Sequence, residues 1–329
     1  MKSLSPRLVP LTIFVAIYAI ILVVFASMSS AFIRPTNILE ILRGMSANGI
    51  AALGLTFVII SRQSDMGFPW VASLGAMTMG HFIASGYAVP VAIFMGVLVG
   101  LAWGAVNGIA IGLFKLPDMI TTIATGSIAF ALGYLYSNGD SIYGNFMTSG
   151  ILGLNDARLL GVRMPIVLLA IFFLAGWFIL DRTRFGRAFY ATGENRRSAR
   201  LSGIPVQIYV VVAFCLCSAF ASFGAILSSA SAGMADVRTG LNFLMPAYVS
   251  VFLGSAMFGR PSAGATLLGA LFTETMIDGF TVLNVPFYYG DAIESVVLVL
   301  ALLSSKPELR DAFRGLFIPA RGMAGGGHL

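Results

Sequence analysis

Long apolar segments recur along this chain from its beginning to its end, and they constrain the fold more than any other feature. A helix that crosses a bilayer needs about 20 mostly apolar residues. Because lipid offers no water to backbone polar groups, only helices and closed barrels can span it. Barrel strands alternate apolar and polar residues, whereas residues 11–25 are apolar at nearly every position. The sequence therefore predicts a helical membrane protein with several spans.

The lengths of these segments predict an all-α protein of about ten transmembrane helices in a single domain, residues 1–329. Composition agrees, since 10% of the residues are charged, against about 25% in soluble domains. Glycine or acidic residues interrupt the third and ninth segments. The glycine-rich end, from about residue 305 to 329, is predicted to be a disordered tail. The predicted spans are residues 9–30, 37–61, 66–86, 88–113, 117–138, 164–181, 205–232, 241–258, 262–280 and 286–304.

The placement of lysine and arginine predicts the orientation, because cytoplasmic loops of membrane proteins are enriched in both. With the N-terminus in the cytoplasm, fifteen of the 20 cations fall on the cytoplasmic side. We therefore expect both termini in the cytoplasm and a location in the bacterial inner membrane. The net charge of +6 follows from this topology, so it requires no nucleic-acid partner. The outside set is Arg34, Arg43, Arg158, Arg163 and Arg238.

One long polar stretch, residues 181–204, interrupts the apolar pattern and holds six arginines. Residues 182–204 of this polar segment are predicted to form a cytoplasmic loop. Asn195 suits a helix N-cap, and Gly203 suits the left-handed position after a helix, so residues 195–203 predict a short helix. Gly186 and Gly193 are expected to form turns upstream of it.

Two interpretations of the arginines in the polar segment remain open. They can simply hold the loop in the cytoplasm. Alternatively, the short helix is presented to a partner, with the arginines as steering charges and Ala199, Leu201 and Ile204 as apolar contacts. Arg196 and Arg197 lie in the first turn, where the helix dipole disfavours cations, so stability does not explain them.

The sequence contains no motif for phosphoryl or hydrolytic chemistry. Neither a P-loop, nor a zinc-protease motif, nor a Gly-x-Ser-x-Gly motif is present. Cys215 and Cys217 are two residues apart in a predicted span and point to different helix faces, which favours packing over a metal or redox pair. We predict a transport protein that is not an enzyme and has no metal or cofactor.

The polar segment resembles the cytoplasmic coupling segment of ABC-importer permeases of the ribose type, a family that includes the branched-chain amino-acid permeases. Residues 186–204 follow the pattern Gly-Arg-Ala-x-Tyr-Ala-x-Gly-x-Asn-x-x-Ala-Ala-Arg-Leu-Ser-Gly-Ile, with Ser198 where the family usually has alanine. Similar motifs begin at Asn107 and Leu116, and again at Asn242, Phe258 and Gly264. The resemblance covers nearly the whole chain.

The resemblance implies a type II ABC-importer permease that passes a sugar-like solute. It implies cytoplasmic ATPase subunits, a periplasmic solute-binding protein and a second permease subunit as partners. Closure of the ATPases would move residues 195–203 as a lever and rock the sixth and seventh spans. The coupling residues it implies are Gly186, Arg187, Gly193, Asn195, Arg196, Arg197, Ala199, Leu201 and Gly203.

One stretch departs from the family. After the second span the sugar-type permeases usually read Gly-Gly-Ile-Asp-Leu-Ser-Val-Gly, whereas here residues 62–70 keep Asp65 and little else. The loss of this motif would be tolerable if a partner permease carried the intact copy. We therefore hypothesise that the pair is heteromeric, although an identical pair stays open.

Polar residues within the predicted spans are candidates for the translocation path, since ionisable groups are costly there. Glu274 and Asp278 are four residues apart and share a helix face. For Asp278 the alternative is interfacial contact with water or the binding protein, whereas Glu274 is a candidate for a pore contact or an interhelical hydrogen bond. For small polar residues the alternative is packing. The remaining candidates for the path are Asp65, Trp70, Asn107 and Thr122.

Other functions are also compatible with the sequence. The solute of an ABC permease could be a branched-chain amino acid or another small polar molecule. An ion-coupled secondary transporter would use Glu274 and Asp278, and such folds often contain broken helices in mid-membrane.

Overall fold

The computed structural model describes residues 9–305, which form helices joined by short connections. A π-helical turn, Phe178–Arg182, extends one helix, and a 3-10 turn, Thr239–Phe243, precedes another. The only sheet in this range is a two-stranded antiparallel hairpin, β1 (Arg158–Leu159) and β2 (Val162–Arg163). The helices are α1 (Val9–Met28), α2 (Pro35–Ile60), α3 (Phe68–Ala84), α4 (Val89–Gly112), α5 (Asp118–Leu135), α6 (Phe146–Ser149), α7 (Gly153–Asp156), α8 (Met164–Trp177), α9 (Arg184–Glu194), α10 (Arg196–Leu201), α11 (Val206–Ala232), α12 (Leu244–Phe258), α13 (Ala263–Val282) and α14 (Phe287–Ser305).

The helices confirm the prediction of an all-α, multi-pass membrane protein. Each predicted span coincides with a helix of fourteen or more residues. Within residues 9–305, six segments are long and apolar enough to cross a membrane by length and composition. That all ten cross it stays a prediction. These six are Pro35–Ile60, Val89–Gly112, Asp118–Leu135, Met164–Arg182, Val206–Ala232 and Thr239–Phe258.

The third predicted span corresponds to α3, a short helix. Among the ten predicted spans, only the sixth and the eighth have shorter helices. The 17 residues of α3 extend about 26 Å at 1.5 Å per residue, less than the hydrocarbon thickness of about 30 Å. Pro69 lies at the start of α3, where its missing amide hydrogen costs nothing. Residues 61–67 connect this short helix to the end of α2.

The tail predicted from about residue 305 to 329 lies outside the described residues from residue 306 onward.

The two helices at the centre of the bundle are α2 and α11. Residues 49–58 of α2 are buried on every face, as expected for a helix that is hydrophobic all round. Gly54 brings the two helices together, since a Cβ there would come within 3.0 Å of the Cys217 backbone. Small residues allow such close approach in membranes, where packing is the main attraction between helices.

Polar contacts mark two different ends of the bundle. At one end, which we call the loop face, Arg196 of α10 reaches the Ser61 carbonyl at the end of α2. At the opposite end, near the start of α2, Glu40 forms ion pairs with Arg43 and Arg163, each at 2.7 Å. The sequence assigned Arg43 and Arg163 to one side of the membrane and Arg196 to the other, and the fold places their contacts at opposite ends of α2. Which end lies in the cytoplasm stays a prediction.

Candidate coupling site and solute path

The polar segment folds into two capped helices, α9 and α10. The Thr183 hydroxyl oxygen accepts hydrogen bonds from the amides of Phe185 and Gly186 at 3.2 and 3.4 Å. The Asn195 Oδ1 atom accepts from the amides of Arg197 and Ser198 at 3.1 and 3.0 Å. Such caps each stabilise a helix by about 1 kcal/mol.

The predicted ends of α10 are confirmed. Asn195 is its N-cap, and Gly203 adopts the left-handed conformation after it, with a φ of 78°. Local chemistry explains the success, because a cap and a positive φ each depend on one residue and its neighbours.

The prediction of turns at Gly186 and Gly193 is wrong, because both glycines lie inside α9. Their role is to permit close approach of backbones. A Cβ at Gly186 would overlap the Leu180 carbonyl, and one at Gly193 would overlap the Ile60 carbonyl at the end of α2. The glycines therefore seat α9 directly on the bundle.

The sequence interpretation missed α9, although it carries a helical signal. Apolar or small residues recur at helical spacing, and Ala188, Phe189 and Thr192 are buried. The Phe189 ring packs edge-on against Phe57 of α2 and Tyr209 of α11, with centroids 5.4 and 5.0 Å away. The glycines concealed this pattern, which in itself predicts an amphipathic helix.

A second attachment joins α9 to the connection between α12 and α13. The Tyr190 hydroxyl donates to the Pro261 carbonyl at 2.9 Å. Burial raises the pKa of Tyr190 to about 12, so this donor keeps its proton at neutral pH. The Arg260 guanidinium lies 4.8 Å from the centre of the Tyr190 ring and pairs with Asp181 at 3.4 Å.

Most of α10 is exposed, and Arg197, Arg200 and Leu201 share one exposed face at i, i+3 and i+4. Leu201 is 83% exposed. Ala199 is buried within this chain, and Ile204 is half-buried. Of the apolar residues expected to face a partner, Leu201 therefore presents its side chain most fully.

Three candidate path residues lie together at the start of α3. The Asp65 carboxylate is fully buried, and its Oδ1 atom accepts from the amides of Gly67 and Phe68, both at 2.9 Å. The Thr122 hydroxyl accepts from the Met66 amide at 3.1 Å. Trp70 packs over Gly126 of α5, where a Cβ would overlap its ring.

Asn107 contacts the same helix α5 from α4. Its Oδ1 atom accepts from the Thr125 hydroxyl at 2.5 Å. Its Nδ2 atom is buried and makes no hydrogen bond within the part of the chain that the structure describes. The amide is thus held at the α4–α5 contact through its Oδ1 atom, and both N–H groups of Nδ2 are without a partner among the described residues.

The acids of α13 lie elsewhere, against the first half of α2. Asn48 donates to Glu274 at 3.3 Å, and Asn37 donates to Asp278 at 2.6 Å. An interhelical hydrogen bond, the alternative considered for Glu274, is therefore present. The six candidates form two groups, one at the start of α3 and one between α2 and α13.

These features define a multi-pass integral membrane protein whose helices carry a folded, capped surface element at one end. Its sequence places it in a family. The chain belongs to the family described as branched-chain amino acid transport system / permease component, whose model matches residues 37–302.

Curated relatives cover most of the chain. The ribose import permease protein RbsC of Bacillus subtilis is 28% identical over 86% of this chain and 89% of its own length. The Escherichia coli K12 protein of the same name is 29% identical over 86% and 90%. The D-allose transport system permease protein AlsC of that strain is 29% identical over 87% and 88%. No solved structure matches this chain.

Proposed function

We propose that this chain is the membrane-spanning permease subunit of an ATP-driven ABC importer for a sugar or sugar-like solute. The observation that carries the proposal is the α9–α10 element, which is anchored to three parts of the bundle and exposes Arg197, Arg200 and Leu201. Relatives named for ribose and allose support a sugar as the solute.

The partners follow from what the chain lacks. Its sequence has no P-loop, so a separate ATPase subunit hydrolyses ATP and docks on the exposed face of α10. A periplasmic binding protein delivers the solute at the opposite end. The loop face and both termini lie in the cytoplasm, and the membrane is the bacterial inner membrane.

The solute path runs past the buried polar group at the start of α3. Asp65, Thr122 and Trp70 meet there, and Asn107 adjoins them across α5. Glu274 and Asp278 form a second polar site nearer the opposite end. A second permease subunit, identical or a different paralogue, completes the path.

Reconstitution into proteoliposomes with the ATPase subunit and the binding protein tests this function. We expect uptake of a labelled pentose or hexose that requires ATP and both partners. Leucine uptake under the same conditions would shift the substrate to an amino acid. Uptake driven by a proton or sodium gradient without ATPase would overturn the proposal in favour of an ion-coupled transporter.

A further inference from the structure

The first two arginines of α10 have different surroundings, although they are adjacent and of the same chemical type. Both side chains are exposed, and Arg197 shares a helix face with Arg200 and Leu201 at i, i+3 and i+4. Arg196 reaches back to the bundle, where its Nη2 atom donates to the Ser61 carbonyl at 3.3 Å. Ser61 is the residue that ends α2. A cation there is favoured by the dipole of α2, which offsets its unfavourable position at the start of α10.

Arg196 also contacts Gln63, which follows Ser61 by two residues. With the Gln63 carbonyl oxygen turned toward the guanidinium, that oxygen accepts from both terminal nitrogens of Arg196. The Gln63 amide nitrogen then donates to the Oδ2 atom of Asp118 at 3.2 Å. We assign this orientation of the Gln63 amide because it gives both its oxygen and its nitrogen a hydrogen-bond partner.

Asp118 is the first residue of α5, so this chain of contacts reaches a second helix. Its Oδ2 atom also accepts from the Ser64 amide at 2.7 Å. Its Oδ1 atom accepts from the Met119 amide at 2.8 Å. Arg196 is thus linked through Gln63 and Asp118 to the start of α5.

The connecting segment, residues 61–67, is held along its whole length. Met66 donates to Thr122 of α5, and the Asp65 carbonyl accepts from the Tyr248 hydroxyl of α12 at 3.0 Å. A Cβ at Gly67 would overlap the Thr122 carbonyl. Because the Asp65 Oδ1 atom also accepts from the amides of Gly67 and Phe68, this segment is tied to the start of α3.

We propose that Arg196 is a positioning residue that transmits movement of the coupling helix, whereas Arg197 belongs to the surface that holds the ATPase subunit. Arg196 passes the displacement of α10 to the connecting segment, and from there to α3 and α5. This route enters the bundle at the buried polar group around Asp65, on the proposed solute path. It acts in addition to the covalent links that join α9 to α8 and α10 to α11. The inference rests on the proposed function of the chain.

Matched variants separate the two roles. Arg196→Gln and Arg197→Gln remove the same charge at adjacent positions of one helix. In proteoliposomes, the half-saturating concentration of the ATPase subunit reports its docking. The solute taken up per ATP hydrolysed reports transmission.

We expect Arg196→Gln to lower uptake per ATP about tenfold and to leave the half-saturating concentration of ATPase within about twofold of wild type. Arg197→Gln should instead raise the half-saturating concentration of ATPase and leave uptake per ATP near wild type. Arg196→Lys should restore part of the coupling, because an ammonium can reach one of the two acceptors. Gln63→Leu should lower uptake per ATP as Arg196→Gln does. The double variant of Arg196→Gln with Gln63→Leu should lose no more uptake per ATP than either single variant.

Two results would overturn the inference. One is weaker docking of the ATPase subunit to Arg196→Gln with normal uptake per ATP. The other is wild-type behaviour of Arg196→Gln. If Arg196→Gln does not assemble, Asp118→Asn tests the same route from its far end and should show the same loss of coupling with normal docking. Failure of the wild-type protein to transport with ATPase present would instead count against the proposed function.

Discussion

The two ends of the bundle use polar side chains in different ways. At the end near the start of α2, Glu40 is paired with two arginines, and Asp278 accepts from Asn37. These groups satisfy one another within the chain. At the loop face, the caps and anchors of α9 and α10 are satisfied, but Arg197, Arg200 and Leu201 are left exposed. Exposure alone does not identify a docking surface, since Leu160 is 98% exposed at the opposite end. What distinguishes the loop face is that its exposed residues lie on a capped helix anchored to the bundle.

The largest effect on stability is expected where α9 meets α2. Gly193→Ala should lower the free energy of unfolding by about 1–3 kcal/mol, because its Cβ would overlap the rigid Ile60 backbone. Gly264→Ala is a matched control, since nothing lies within 4 Å of a Cβ there. Thermal unfolding in detergent measures both, and equal midpoints for the two variants would show that α9 is not seated on α2.

A smaller effect is expected at the exposed face of α10, and it should concern binding only. Leu201→Ala should weaken docking of the ATPase subunit about tenfold, as for an apolar contact at the centre of an interface. Its unfolding midpoint should not change, since Leu201 is 83% exposed. A lower midpoint with normal docking would remove Leu201 from the proposed surface. Titration of proteoliposomes with ATPase subunit measures the effect.

A third prediction addresses the internal pairing of Glu274. Glu274→Ala should lower the free energy of unfolding by about 1 kcal/mol, because Asn48 loses its acceptor. Glu274→Gln keeps an acceptor, so its stability should stay near wild type. If the side chain also contacts solute, Glu274→Gln will raise the KM for uptake. An unchanged KM would confine Glu274 to the helix contact.

The smallest effect is expected for the ion pair between Arg260 and Asp181. Arg260 is 60% exposed in its side chain, so Arg260→Gln should cost less than about 1 kcal/mol. The Tyr190 bond to Pro261 should keep α9 in place. A large drop in the unfolding midpoint would mean that the cation holds the element more strongly than the buried groups do.

Features that depend on neighbouring residues could be predicted from the sequence. Hydropathy located the ten longest apolar helices to within a few residues, because a run of about 20 apolar residues is itself the cause of a span. The cap at Asn195 and the left-handed Gly203 follow from single residues. The number of membrane crossings was less predictable, since α3 is shorter than a bilayer.

Contacts between distant residues could not be predicted. Arg196 meets Ser61 across 135 residues, and Asn37 meets Asp278 across 241. No local pattern marks either pair. The glycines of α9 show the same limit, because a glycine that admits another backbone has the same sequence signal as a glycine in a turn.

Photo-crosslinking in the assembled importer tests the central claim most directly. A photoreactive amino acid would replace Leu201, Ala199 or, as a control, Leu160, which is 98% exposed on the hairpin at the opposite end. We predict a crosslink to the ATPase subunit from position 201 and none from position 199 or 160. A crosslink from position 160, or none from position 201 in a complex that transports solute, would contradict the assignment of the α10 face as the docking surface.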